Sequence, residues 1–459
     1  MRLRTSDLRH RVNADLTLRY AHEGLTSHAG LELLRRYFTL IGVRNEIRRL
    51  LSKDIPRSDF GACGMVLLVL VLLITGGRRL RHIGFLQGDP VVAKCCGLTR
   101  LPSPYSVGRW LARFNDQGLD RLQTWNEQVV ARGIQACGLR RLTLDVDGSV
   151  VSTGLKVEGA RRGFNPHHRK VPSYYPITAY EANSGQLLRV HNRPGNVHDG
   201  KASLDFIEAL GLQLQRTGLN DLTWECRMDG AFFRRDVIER LEDWEVEYAI
   251  KMPFYQWLDL QGLIVQNKQW TPAADRVDYF EASVWVEAWE RRLPVTVYRK
   301  QTRRQTRKNY QLDLFDPDDG YWEYSAVVSN KAVTGRTLWH FMCGRGAHER
   351  AYAELKSGFA FGCVPSQRYH ANSAWQLFNV LAFNLTRGFQ SVAGVEARPM
   401  NRKRSPQRKY ASIQTLRFNC INRAGLITRP QGRCTLDIGT APATREVFEK
   451  IGLALQKVA

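Results

Sequence analysis

The sequence lacks the ordinary marks of a secreted or membrane-anchored chain. Its nine cysteines are scattered, only Cys95 and Cys96 lie close, and no C-x-x-C pair occurs. That excludes a disulfide framework and a cysteine zinc site, and favours a reducing, cytoplasmic setting. The opening stretch MRLRTSDLRHRVNADLTLRY has a charge every few residues and no apolar core, so it does not read as a signal peptide. Long apolar runs are also missing, with one near exception. GACGMVLLVLVLLITGG, residues 61–77, is uncharged, but its apolar centre from Met65 to Thr75 is shorter than the roughly 20 residues of a membrane span. Arg78, Arg79 and Arg81 follow as they would at a membrane edge, yet a buried core helix satisfies the same pattern and is the expected reading, with no membrane partner. No internal repeat is visible.

Acidic residues are the other shortage. Against 67 Lys and Arg stand 44 Asp and Glu, a net charge of +23 over 459 residues and a pI near 9.9. Such an excess says little about fold but favours a polyanionic partner, nucleic acid before membrane surface.

Residues 1–135 read as a helical N-terminal DNA-binding region. Within it, residues 89–114 suggest a helix-turn-helix: a short helix after Asp89 and Pro90, a turn at Gly97, and a second helix with Ser103 as N-cap and Pro104 at its first position. That second helix exposes Tyr105, Arg109 and Arg113 on one side, as a groove-reading or phosphate-contacting helix does; a cationic surface helix packed on Val107, Leu111 and Phe114 explains it equally well.

From residue 141 the period changes to two. RLTLDVDGSVV alternates Leu142, Leu144 and Val146 with Thr143, Asp145 and Asp147. A hairpin broken at Asn183, Ser184 and Gly185 follows, then a helix, the strand LTWECRMD, the helix FFRRDVIERLEDW and the strand VEYAIKM. Three strands, helix, strand, helix, strand is the order of an RNase H-like α/β core, here assigned to residues 136–252 and 325–392. Residues 253–324 interrupt it as a mainly β insertion, with six cationic residues among the ten from Arg299 to Lys308, and residues 393–459 form a basic linker and C-terminal segment. A solvated loop or a phosphate-backbone contact explains the cationic run.

Three acidic positions lie where this core would aim them at one point: Asp145 or Asp147 at the end of the first strand, Asp229 at the end of the fourth, and a glutamate after the insertion. Clustered carboxylates repel unless a cation neutralises them, and all-oxygen ligands suit Mg²⁺ or Mn²⁺. Two such ions about 4 Å apart serve phosphoryl transfer. In GRGAHERAYAELKSGF, helical phasing puts Arg345, Glu349, Tyr352 and Lys356 on one stripe, with Glu354 roughly 140° away from Glu349. The stripe reads either as a metal-binding Glu349 flanked by two phosphate-binding cations or as an ordinary ion-paired surface.

The ordered pieces LDVDGSVV, GFNPHHRKVPSYYPI, NRPGNVHDG, CRMDGAFF, GRGAHERAYAELKSGF, RYHANSAWQLFNVLAFNL and TLRFNCINRAGLITR resemble bacterial insertion-sequence transposases of the IS-thirteen-eighty family, a branch of the IS-four-like DDE transposases. The resemblance covers about residues 85–440 and implies an RNase H-like core holding two Mg²⁺ or Mn²⁺ ions on an Asp, Asp, Glu triad. It places that triad on Asp147, Asp229 and Glu349, and makes Arg345 and Lys356 phosphate-binding groups; the family's tyrosine position is Met342 here. The implied activity is water attack on the phosphodiester at a transposon end, then attack of the freed 3′-hydroxyl on target DNA. Partners would be double-stranded DNA, as terminal inverted repeats and target, and a second copy in a synaptic homodimer. Arg303, Arg304, Arg307 and Lys308 are candidate phosphate contacts, and Trp257 and Trp270 candidate stacking platforms for a displaced base. His198 is expected to be structural. An inactive relic or DNA-binding repressor, and a stand-alone nuclease, are the rival readings.

Overall fold

In the computed structural model, residues 24–154, 156–163, 165, 170–302, 321–394, 408, 410–439 and 441–458 are described. The strands of the main sheet are β1 (Arg141–Gly148), β2 (Ile177–Glu181), β3 (Gln186–His191), β4 (Thr223–Met228), β5 (Glu247–Met252), β6 (Thr271–Ala274), β7 (Val277–Val286), β8 (Arg291–Thr302) and β9 (Tyr321–Ser329). Their spatial order is β3-β2-β1-β4-β5-β9-β8-β7-β6. Strands β1, β4 and β5 are parallel, and every other neighbouring pair is antiparallel. The fold is thus α/β around one large mixed sheet.

The anticipated order is present: three strands, α6 (Ser203–Arg216), β4, α7 (Arg235–Asp243), β5. The two helices make the crossovers that parallel neighbours require. After β5 the described chain adds β6, β7, β8 and β9, which continue the same sheet through β9 on β5.

Two cores lie on the two faces of the sheet. One joins Leu142, Leu144 and Val146 of β1 to α6 and α7. The other joins the N-terminal helices α1 (Leu31–Leu40), α2 (Gly61–Thr75), α3 (Pro90–Cys96), α4 (Pro104–Leu111) and α5 (Asp116–Ala136) to later helices: α9 (Gly346–Gly358) and α10 (Tyr369–Val392). The short α8 (Gly335–Cys343) precedes α9.

The uncharged run is the buried helix α2: Met65 to Ile74 are each at most 1% exposed. It ends at Gly76, whose φ of 109° suits only glycine, and Arg417 donates to its last carbonyls at Ile74 and Leu73 (both 2.7 Å). Among the described residues no helix is long and apolar enough to cross a membrane.

α3 and α4 begin where their caps indicated. Asp89 accepts from Val91 and Val92 N–H (both 3.0 Å), Gly97 has φ 70°, and Ser103 Oγ accepts from Ser106 N–H (3.1 Å). Trp110 of α4 packs edge-on to Phe114 and against Phe378 of α10, so the helix is fixed to the common core.

The outer edge of β3 is covered by helices. Asn384 of α10 accepts from Leu187 N–H (3.0 Å) and donates to Leu187 O (2.8 Å), as a neighbouring strand would. Asn126 and Gln123 of α5 and Gln213 of α6 donate to Leu188 O. Edge groups that would otherwise be buried without partners are thereby paired.

Candidate active site

Asp147 and Asp229 come together because of strand register. Val146 pairs with Met228 across the parallel strands β1 and β4, so the residues that follow are neighbours at the carboxyl ends. Asp229 caps the turn Gly230–Phe232 by accepting from Ala231 N–H (3.0 Å). Asp147 Oδ1 accepts from Gly148 N–H (2.9 Å), and its Oδ2 accepts from Arg345 Nη2 (2.8 Å). Burial pushes the Asp147 carboxyl up to about 7; Arg345 opposes the shift, while the charges of Asp229 and Asp199 add to it.

Asp145, the alternative on the same strand face, is not at the site mouth. It is fully buried and paired with Arg227. The structure therefore leaves Asp147 as the accessible aspartate of β1.

The stripe on α9 faces β1. Arg345 touches the Asp147 carboxylate, Tyr352 Oη donates to Asp147 O (2.9 Å), and Lys356 Nζ donates to Val150 O (3.0 Å). Glu349 lies between them on the helix, is exposed, and makes no hydrogen bond or ion pair among the described residues. Burial lowers the Lys356 ammonium below its usual range. Arg345 keeps a buried Nε without a partner among the described residues. Glu354 points elsewhere: it pairs with Arg387 of α10 and accepts from Ile413 N–H (2.7 Å). Helical phasing had separated these two glutamates.

His348, buried beside Glu349, stacks between Tyr180 and Tyr352 and bonds Thr178 Oγ1 (2.8 Å). Its burial and the nearby Arg345 and Arg227 lower its pKa to about 3, so it packs as a neutral ring. Met342, at the tyrosine position of the resemblance, is buried with Ala249, Tyr298, Val327 and Leu338 between α8 and the sheet.

Sequence reasoning missed Asp199. It is buried, paired with Arg193 and hydrogen-bonded by Tyr175, and it faces Asp147 closely enough to raise its pKa. Its only signal in the sequence is its place in NVHDG beside His198, which caps the Asp199–Lys201 turn through Gly200 N–H (3.1 Å). Gly148 makes room for this third carboxylate. A Cβ there would sit 2.6 Å from both Asp199 Oδ1 and Tyr175 Cε1. Gly148→Ala is expected to cost about 1–3 kcal/mol by overpacking, read as a lower urea midpoint at unchanged m; an unaltered midpoint would show that Asp199 yields freely.

The remaining candidates are dispersed. Arg109 is exposed on α4, whereas Arg113, expected on the same helix, lies exposed in the turn beyond its last residue, Leu111, and donates to Arg57 O. Trp257 is half exposed and stacked on Tyr255 (5.5 Å, 17°), in the segment after β5 whose Pro253 lies beside Gly230. Trp270 instead packs against Phe280, with the Arg299 guanidinium 4.4 Å over its ring. Arg303, Arg304, Arg307 and Lys308 lie outside the described residues, as do residues 395–407 of the basic linker. Among the described residues, no group of three His, Cys, Asp or Glu side chains is placed to hold a metal ion.

The sequence profile of the transposase DDE domain group 1 family matches residues 9–459, nearly the whole chain. The chain belongs to this family. Among solved structures, a piggyBac transposase synaptic complex with hairpin DNA is similar over 87% of this transposase and 82% of that chain, at 9% identity and a TM-score of 0.42. A Mos1 transposase paired-end complex with left transposon end is similar over 53% and 64%, at 11% identity and a TM-score of 0.18. Among curated proteins none matches the transposase.

Proposed function

We propose that this transposase has an RNase H-like core, binds the ends of a bacterial insertion sequence, and cleaves and joins DNA at the Asp147–Asp229 site. The carrying observation is the pair of aspartates at adjacent parallel strand ends, with the Arg345–Glu349–Tyr352–Lys356 stripe of α9 laid against Asp147. The donor chemistry fits a divalent cation. Burial first, and then the neighbouring charge of Asp229, raise the Asp147 carboxyl, and both aspartates are hard oxygen donors. Glu349 is exposed on the helix face that Arg345 and Tyr352 turn toward Asp147. With the exposed Glu349 side chain turned toward the two aspartates, Asp147, Asp229 and Glu349 are the residues that would hold two Mg²⁺ or Mn²⁺ ions. Such ions, when bound, favour the attacking and leaving oxygens of an in-line phosphoryl transfer.

Arg345 and Lys356 bind the phosphates that flank the cleaved bond; the unpartnered Nε of Arg345 supports this role. Trp257 presents an indole face to an unpaired base beside the Asp229 turn. Arg109 of α4 and Arg113 in the turn just after it contact backbone phosphates away from the site, together with Arg303, Arg304, Arg307 and Lys308 of the insertion. Pairing two ends calls for a homodimer, and the absence of cysteine patterning fits the cytoplasm.

A strand-transfer assay with the element's terminal repeats and Mg²⁺ tests the reading. Joined products are expected. Cleavage without joining would make the protein a nuclease, and binding alone would make it a relic or repressor.

A further inference from the structure

We propose that Arg227 is a positioning residue that sets the helix bearing Glu349 in register with Asp147 and Asp229. The inference rests on the reading of these three residues given above, and it assigns a task to a buried ion pair that the chemistry does not itself use.

Arg227 stands two residues before Asp229 on β4, and Asp145 two residues before Asp147 on β1. With a period of two, they lie on the same sheet face as the site and one layer beneath it. The register pairs them directly across the strands. Arg227 Nε donates to Asp145 Oδ1 (2.6 Å) and Nη2 to Asp145 Oδ2 (2.8 Å), with the residues 2% and 0% exposed.

The third arm of the guanidinium leaves the sheet. Nη1 donates to Phe341 O (2.9 Å) in the last turn of α8, and Cζ stands 5.1 Å from the Phe341 ring centroid. The junction closes tightly over it: a Cβ on Gly344 would lie 1.9 Å from Nη1. Arg345 follows at once, and Glu349 is in the first turn of α9. One planar fork therefore joins the strand that ends in Asp147, the strand that ends in Asp229, and the turn that launches Glu349.

Stability is a poor account of this arrangement, because a buried ion pair is often replaceable by apolar residues without loss. An apolar pair could fill the space, but it could not hold a carbonyl at the helix junction. Lysine could meet one partner and not span both. The rest of α9 has its own anchor in Tyr352, which bonds Thr178 Oγ1 and Asp147 O. Loss of the fork should therefore slacken the first turn of α9 while the helix stays docked.

The test uses the full chain as wild type, Arg227→Lys, Gly344→Ala and the paired Asp145→Leu with Arg227→Met. Amide hydrogen exchange is followed in peptides covering residues 340–350, beside thermal unfolding, end-DNA binding and kcat for cleavage in Mg²⁺. In all three variants the junction amides are expected to exchange about tenfold faster, with β1, β4 and residues 352–357 unchanged. Cleavage should fall by about 10²-fold, the cost of a ~1 Å misplacement, with DNA affinity unchanged. A folded paired variant with wild-type junction exchange and kcat overturns the proposal, as does protection lost evenly through the whole chain. If the wild type itself does not cleave, the proposed function fails, while the exchange pattern still reads the positioning.

Discussion

Glu349→Gln abolishes DNA cleavage in Mg²⁺ and leaves end binding nearly intact: this is the expected result with the greatest effect on activity. The side chain is exposed and makes no hydrogen bond or ion pair among the described residues, so glutamine in its place breaks no such pairing. What it would remove is one charged oxygen from the three proposed ligands, and hard divalent ions depend on that charge. The loss should exceed the ~10–100-fold typical of groups that only support a metal ligand. Glu354→Gln is the matched control. Its carboxylate serves Arg387 and Ile413 N–H, so it should cut and bind as the wild type does, with about 1–3 kcal/mol of stability lost from the weakened buried pairing. Single-turnover cleavage and a mobility-shift titration check both variants. An active Glu349→Gln protein would sink the assignment of the third ligand.

Leu70→Asp should prevent folding. Leu70 is fully buried in α2, in a run where every side chain from Met65 to Ile74 is enclosed by other helices. A carboxylate there has no partner and must either stay charged in an apolar interior or take up a proton, at a cost of several kcal/mol either way. Total stabilities of about 5–15 kcal/mol leave little margin for that. Urea unfolding and circular dichroism are the measurements, and a wild-type midpoint would show that α2 is not the centre of the helical core.

Local signals carried well from sequence to structure. The alternation in RLTLDVDGSVV, the caps at Asp89 and Ser103, and the helical stripe of Arg345, Glu349, Tyr352 and Lys356 all depend on residues a few positions apart, and each is found. One strand boundary moved for a local reason: the run SYYPITAYE divides at Pro176, which has no N–H to donate, leaving Ser173–Tyr174 and Ile177–Glu181. Long-range partners were not legible. Nothing in the spacing of Asp145 and Arg227 announces an ion pair, because only strand register brings them together. Arg345 read as a phosphate ligand, and in the structure it also neutralises Asp147; helix phasing gives the face of a side chain and not what lies across from it. Asp199 escaped for the same reason, since its nearness to Asp147 is made by tertiary packing alone. What suits methionine at position 342 is legible only in three dimensions, where that position faces an apolar cluster.

The amide of Asn384, paired with both backbone groups of Leu187, has a consequence for how this architecture can be elaborated. A sheet whose one border is already occupied by side chains acting as a strand cannot recruit another segment there without expelling α10. On the other side of the sheet, β9, β8, β7 and β6 follow β5 in turn. The strands that carry Asp147 and Asp229 are thus held at a fixed distance from that border, and peptides grafted beside β3 should be rejected.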